Sequence, residues 1–163
     1  MAPLVGEYRS TLDQKSRLIV PHKLRAMGGT PESPCSTFVL APGPEKCVFA
    51  YTLAGWEEVA GIIGRSGQLP GQSLRDLQRR MGAQVDYVEC DLQGRIVLPT
   101  ELKEHALLKR DVVWIGAFNR AEIWDVEAWT WYQKLNPKSF RELFDDVAGQ
   151  SAGNAPPGGP PRQ

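Results

Sequence analysis

Apolar and polar positions along the chain fall into short blocks, and the same order of blocks occurs twice. The first begins over residues 4–12, a strand-forming stretch that includes Tyr8 and Thr11, and enters the polar loop Asp13-Gln14-Lys15-Ser16-Arg17. Three apolar residues follow, Leu18-Ile19-Val20, and then Pro21. Apolar and β-branched runs bounded by polar turns predict strands, and a proline just beyond suits the first turn of a helix. That helix is predicted over residues 22–27 with Leu24 inward. Gly28-Gly29-Thr30-Pro31-Glu32-Ser33-Pro34 then forces turns. Strands over residues 37–40 and 47–51 read as a hairpin. After it, Trp56, Val59, Ala60 and Ile63 mark one apolar side of a helix.

The second copy repeats this order. A strand over residues 85–90 leads into Asp91-Leu92-Gln93-Gly94-Arg95, then Ile96-Val97-Leu98 and Pro99. A helix carrying Leu102 and Ala106 follows, and strands over residues 112–115 and 122–124. The copies also end alike, because the aromatic pair Tyr51 and Trp56 recurs as Trp124 and Trp129. The first copy is slightly longer, and its extra residues fall in glycine- and proline-rich turns, where insertions leave paired strands undisturbed. Between the copies, Leu74, Leu77 and Met81 share one side of a predicted helix, with Arg75, Arg79 and Arg80 mostly elsewhere. Beyond them, Ser139-Phe140-Arg141-Glu142 has the spacing of a capping box, and Phe140, Leu143, Phe144 and Val147 lie on one helical face. The expected organisation is a first repeat over residues 4–66, a connecting helix over 67–84, a second repeat over 85–132, a helical extension over 133–147 and a flexible tail over 148–163.

Composition narrows the functional classes. The 163 residues carry a formal net charge of +0, so any nucleic-acid partner must be held by a local patch and not by overall basicity. Cys35, Cys47 and Cys90 show no CxxC spacing, and an odd count argues against a disulfide framework or a structural zinc site. His22 and His105 occupy different positions in the two copies, which disfavours a shared catalytic or metal role. No nucleophile and base pair or phosphate-binding glycine loop is visible, so neither an enzyme nor a cofactor is expected. The start of the chain lacks a basic segment followed by a long apolar one, and no membrane helix is predicted. A cytoplasmic protein is the expectation.

The repeated DxxxR loop carries the chemistry. A carboxylate four positions before a guanidinium can accept backbone N–H bonds that fix the loop while the arginine projects. The plain alternative is an ion pair closing a hairpin, which is common and weak. Two such loops in order, each followed by a short apolar strand and proline, together with Cys47-Val48-Phe49-Ala50-Tyr51, Glu122-Ile123-Trp124, Trp56 and Trp129, resemble the MraZ family over residues 6–132. The resemblance implies an α+β fold, a swapped-hairpin (AbrB-like) β-barrel made from tandem βαββα-type repeats in one chain, with additional helices. It further implies a DNA-binding transcriptional regulator that represses its own division and cell wall gene cluster. The partners implied are double-stranded promoter DNA at short direct repeats and self, as a ring of eight or twelve subunits associated with the nucleoid. An AbrB-like, antitoxin-like assembly scaffold with secondary DNA contact is the alternative.

By that resemblance Arg17 is a DNA-contacting residue and Lys15 is the loop lysine. Ser16 stands where the family usually has glycine. Where that position needs a positive φ a serine is strained, which predicts a first loop shaped differently from the second, whose Gly94 is kept. Charge favours the first copy as the DNA face: residues 13–27 hold four bases (Lys15, Arg17, Lys23, Arg25) and one acid (Asp13), a net of +3. Residues 91–105 hold two bases (Arg95, Lys103) and three acids (Asp91, Glu101, Glu104), a net of −1. Arg9 extends the first patch, Arg95 contacts DNA or supports its loop, and Asp13, Asp91 and Gly94 shape the loops. A ring presenting several copies of one weak patch would make each later contact intramolecular.

Overall fold

A computed structural model describes residues 2–65 and 71–153, without the side chains of 151–153. It divides into two compact units, Met1–Trp129 and Thr130–Gln163. In the first, strands β1 (Glu7–Thr11) and β2 (Arg17–Ile19) flank the first polar loop, and α1 (His22–Gly28) buries Leu24. The hairpin β3 (Thr37–Pro42) and β4 (Val48–Tyr51) leads into α2 (Leu53–Arg65) and α3 (Gln72–Gln84). The second repeat follows as β5 (Asp86–Glu89), β6 (Arg95–Val97), α4 (Thr100–His105), β7 (Asp111–Gly116) and β8 (Ala121–Asp125). Helix α5 (Val126–Leu135) comes next and α6 (Phe140–Gly153) ends the described chain.

The strands form two antiparallel sheets. Six lie in the order β1-β7-β8-β4-β3-β5, and among the described residues β2 pairs only with β6. The opening strand of each repeat is therefore paired with the hairpin of the other. Tyr8 faces Trp114 across β1 and β7, and Phe38 faces Val88 across β3 and β5. The two hairpins meet through β4 and β8, with Val48 opposite Ile123. No closed barrel forms among the described residues, because the β2–β6 ribbon does not continue the hydrogen-bond ladder of the outer strands. Its link to β1 is a side-chain bond instead, from the Ser10 hydroxyl to the Ile19 carbonyl at 3.3 Å.

Strand alternation sorts the sheet into two faces. On one, Phe38, Leu40, Val48, Ala50, Val112, Trp114 and Ile123 pack against Leu18 and Ile96 of the ribbon, Leu24 of α1 and Leu102 of α4. On the other, Val39, Ala41 and Tyr51 meet Trp56 and Val59 of α2 and Met81 of α3. The predicted aromatic pairs form on that second face, with ring centroids 5.7 Å apart for Tyr51 and Trp56 and 5.2 Å for Trp124 and Trp129. Trp114 is fully buried. At the sheet edge the backbone of Val5 passes so near Gly116 that an added β-carbon would lie 2.5 Å from it, which explains the glycine.

In the second unit the predicted capping box is made reciprocally. The Ser139 amide donates to Glu142 Oε2 at 2.6 Å, and the Glu142 amide donates to Ser139 Oγ at 3.2 Å. After Pro137 no proline occurs until residue 156, and α6 runs on to Gly153 through part of the segment expected as a tail. Residues 154–163 of that segment, and residues 66–70 of the expected repeat boundary, lie outside the described residues. No described helix is long and apolar enough to cross a membrane.

Burial within the ribbon separates neighbouring positions sharply. Ile96 is fully buried whereas Ile19, on its outward side, is 53% exposed. Truncating Ile96 to alanine should therefore lower unfolding free energy by about 2–5 kcal/mol. The same change at Ile19 should stay within about 0.5 kcal/mol. Urea denaturation of the two variants measures the contrast.

Candidate nucleic-acid interface

Each DxxxR loop is organised around its carboxylate. Asp13 Oδ1 accepts the backbone N–H groups of Lys15 and Arg17, both at 2.9 Å, and Oδ2 accepts Arg17 Nε at 2.7 Å. Asp91 does the same with Gln93 and Arg95, both at 2.9 Å, and with Arg95 Nε at 2.8 Å. A short carboxyl side chain reaches the amides two and four residues on, so these bonds need only local geometry. The ion pair and the backbone bonds, posed as alternatives from sequence, are present together. Arginine is anchored through Nε, while its terminal amino groups make no hydrogen bond among the described residues.

Both loops have the same backbone shape. Ser16 adopts φ of 60° and Gly94 φ of 79°, so the expected difference in shape between them is not found. The reason is that each loop is gripped by the other repeat: the Val20 amide donates to the Gly94 carbonyl at 2.9 Å and the Leu98 amide to the Ser16 carbonyl at 2.8 Å. The second of these bonds helps hold position 16 in the left-handed region.

Pairing of β2 with β6 gives the loops one common surface. Leu18 opposes Ile96 and both are fully buried, so the flanking pairs, Arg17 with Val97 and Ile19 with Arg95, share the outward face. Arg17 and Arg95 stand diagonally on it, beside the exposed side chains of Ile19 and Val97. Lys15 is exposed at the first loop and Lys23 on α1. Arg9 sits elsewhere: it pairs in register with Val113, on the sheet face away from the ribbon, 3.9 Å from Glu7.

Two bases have exchanged places relative to the sequence. Arg25 donates from Nε to the Cys35 carbonyl at 2.9 Å, and its Nη1 lies 2.8 Å from where a β-carbon on Gly94 would be, so it covers the second loop. Lys103, from α4 of the second repeat, donates to Ser16 Oγ of the first loop at 2.8 Å. The +3 and −1 tallies along the chain therefore do not describe the charge around each loop in space. Sequence reasoning passed over Lys103; the signal was its place in the second repeat, which matches that of Arg25 in the first.

Other candidates are accounted for by structure. His22 is exposed, and His105 Nε2 lies 2.8 Å from the Gly43 carbonyl. Burial raises the thiol pKa values of Cys35, Cys47 and Cys90 above their ordinary 9.0, which favours the protonated form. Among the described residues no group of three or more His, Cys, Asp or Glu could hold a metal ion. Arg79 pairs with Asp76 at 3.1 Å on the outer side of α3.

The N–H of Arg17 is the main reason the Asp13 carboxyl lies below its ordinary 3.8, helped by the Arg17 side chain and the Lys15 amide against the penalty of burial. A carboxyl with a folded pKa below its unfolded value contributes stability that is complete above about 3.8 and disappears as pH falls through the folded value. The Asp13 carboxyl resonance should accordingly titrate with a midpoint below 3.8 in the native protein. A midpoint at or above that value would mean the loop bonds are not formed in solution.

The family model described as "MraZ protein, putative antitoxin-like" matches residues 81–149. The Transcriptional regulator MraZ of Caldanaerobacter subterraneus subsp. tengcongensis is 36% identical over 144 residues, which cover 88% of this chain and 96% of that protein. The protein of the same name from Limosilactobacillus fermentum is 36% identical over 149 residues, covering 90% and 98%. Matched over about nine tenths of its length by relatives 36% identical to it, the chain belongs to the MraZ family.

Proposed function

We propose that this protein is a transcriptional regulator that binds double-stranded promoter DNA through the β2–β6 ribbon, reading short direct repeats as a ring oligomer of eight or twelve subunits. The carrying observation is the pair of carboxylate-anchored arginines, Arg17 and Arg95, in diagonal register on one outward ribbon face. The major groove admits a two-stranded ribbon, and an arginine held at Nε can present its terminal N–H groups to guanine O6 and N7 or to phosphate. Ile19 and Val97 supply apolar surface of the kind that meets thymine methyls. Lys15 and Lys23 suit phosphate, with Arg25 beside the second loop. Arg9, on the opposite sheet face, is outside this surface.

The exchanged opening strands support a swapped-hairpin architecture for repeats 4–66 and 85–132, joined through residues 67–84. The relatives named transcriptional regulator support the regulatory role, and repression of the protein's own division and cell wall gene cluster is the form we propose. A nucleoid-associated protein of the cytoplasm follows from that reading.

Binding to DNA from upstream of its own gene tests the proposal. Arg17→Ala and Arg95→Ala should each weaken specific binding by about 1–3 kcal/mol. Wild-type affinity should also fall steeply as salt rises. Full affinity in both variants would overturn it. A second reading, assembly or partner binding as the main role, draws on the exposed Phe140, Leu143, Phe144 and Val147 of α6. A chain ending at residue 135 separates the two: loss of assembly with DNA binding by the remaining protomers intact favours the scaffold.

A further inference from the structure

We propose that Lys103 is a positioning residue for the first reading loop, acting through the Ser16 hydroxyl across the boundary between the repeats; the inference rests on the ribbon being the DNA interface. Ser16 has a β-carbon in a backbone region that glycine occupies freely and other residues rarely do. Three of its atoms are pinned. Its amide donates to the Asp13 carbonyl at 3.0 Å, its carbonyl accepts the Leu98 amide at 2.8 Å, and its hydroxyl accepts Lys103 Nζ at 2.8 Å. The last two partners both come from the second repeat.

Ser16 is bonded directly to Arg17, whose amide and Nε both rest on Asp13. A loop that relaxed away from positive φ at position 16 would turn the Arg17 amide off the carboxylate and release the guanidinium from its outward pose. The Lys103 bond opposes that relaxation. It is charge-assisted, half-buried and spans 87 positions of the chain. The second loop needs no such device, since Gly94 adopts its φ of 79° without strain, and the matching base, Arg25, lies against the glycine with its Nε already on Cys35. Equivalent helix positions thus hold the two loops by different means: a lysine bonded to a serine, and an arginine packed over a glycine.

The test is a mutant cycle on the full chain, with thermal midpoints recorded for every variant. Lys103→Met keeps the apolar stem and removes the donor, while Ser16→Ala keeps the β-carbon and removes the acceptor. Each should weaken binding to the upstream DNA about tenfold, and the double variant should be no weaker than either. In a Ser16→Gly background, Lys103→Met should change affinity less than about twofold, because glycine holds the loop unaided. Without DNA, Lys103→Met should speed hydrogen exchange at the Arg17 amide and leave the Arg95 amide unchanged. Unaltered exchange at Arg17 would overturn the positioning role whatever the DNA result. An equal loss in the serine and glycine backgrounds, with the salt slope reduced by about one, would identify Lys103 as a phosphate contact instead and overturn the proposal. If exchange responds as expected but Arg17→Ala and Arg95→Ala both bind DNA fully, the DNA interface reading fails and the loop clamp remains.

Discussion

Antiparallel pairing of β2 with β6 is the constraint on which the rest of the structure depends. Each strand has three residues, and two such strands have no independent stability in water. They persist because Leu18 and Ile96 face each other and are buried in one core drawn from both repeats. Neither repeat can satisfy its ribbon strand alone. The same dependence recurs in the sheet, where β1 finds β7 and β5 finds β3.

From that pairing the geometry of the loops follows. Arg17 and Arg95 leave the ribbon on its outward side because the central pair between them, Leu18 and Ile96, is turned inward. Each loop backbone accepts an amide from the segment after the opposite strand, so the loops are braced against each other. Within each loop, a carboxylate bonded to two amides and one guanidinium sets the arginine's starting direction. Short local bonds set the direction of each arginine, and long-range bonds brace the loops and place the two arginines relative to one another.

Duplication has kept the hydrogen-bond skeleton and let the side chains diverge. Position 16 is serine where its counterpart is Gly94, and Lys15 corresponds to Gln93. The helix bases Arg25 and Lys103 each serve the opposite loop. A net charge counted along one repeat therefore mixes groups that are far apart with groups that are close. The first loop draws its nearest added cation from the repeat that looked acidic.

What the sequence determined by itself is the set of elements and their local chemistry. Helices α1 to α4, the hairpin of β3 and β4, the inward positions Leu24 and Leu102, the reciprocal Ser139–Glu142 box and the bonds of Asp13 to the amides that follow it all follow from spacing, because they depend on bonds and faces a few residues apart. The tertiary structure alone decided which strands pair, that the sheet stays open, that Arg9 faces away from the ribbon, and that Lys103 reaches Ser16. Period-two alternation states which side of a strand is apolar and says nothing about its neighbour, and two similar repeats present equally suitable partners to every strand. Only the common core, by burying Leu18 against Ile96, chose pairing between repeats, and with it the surface on which both arginines stand.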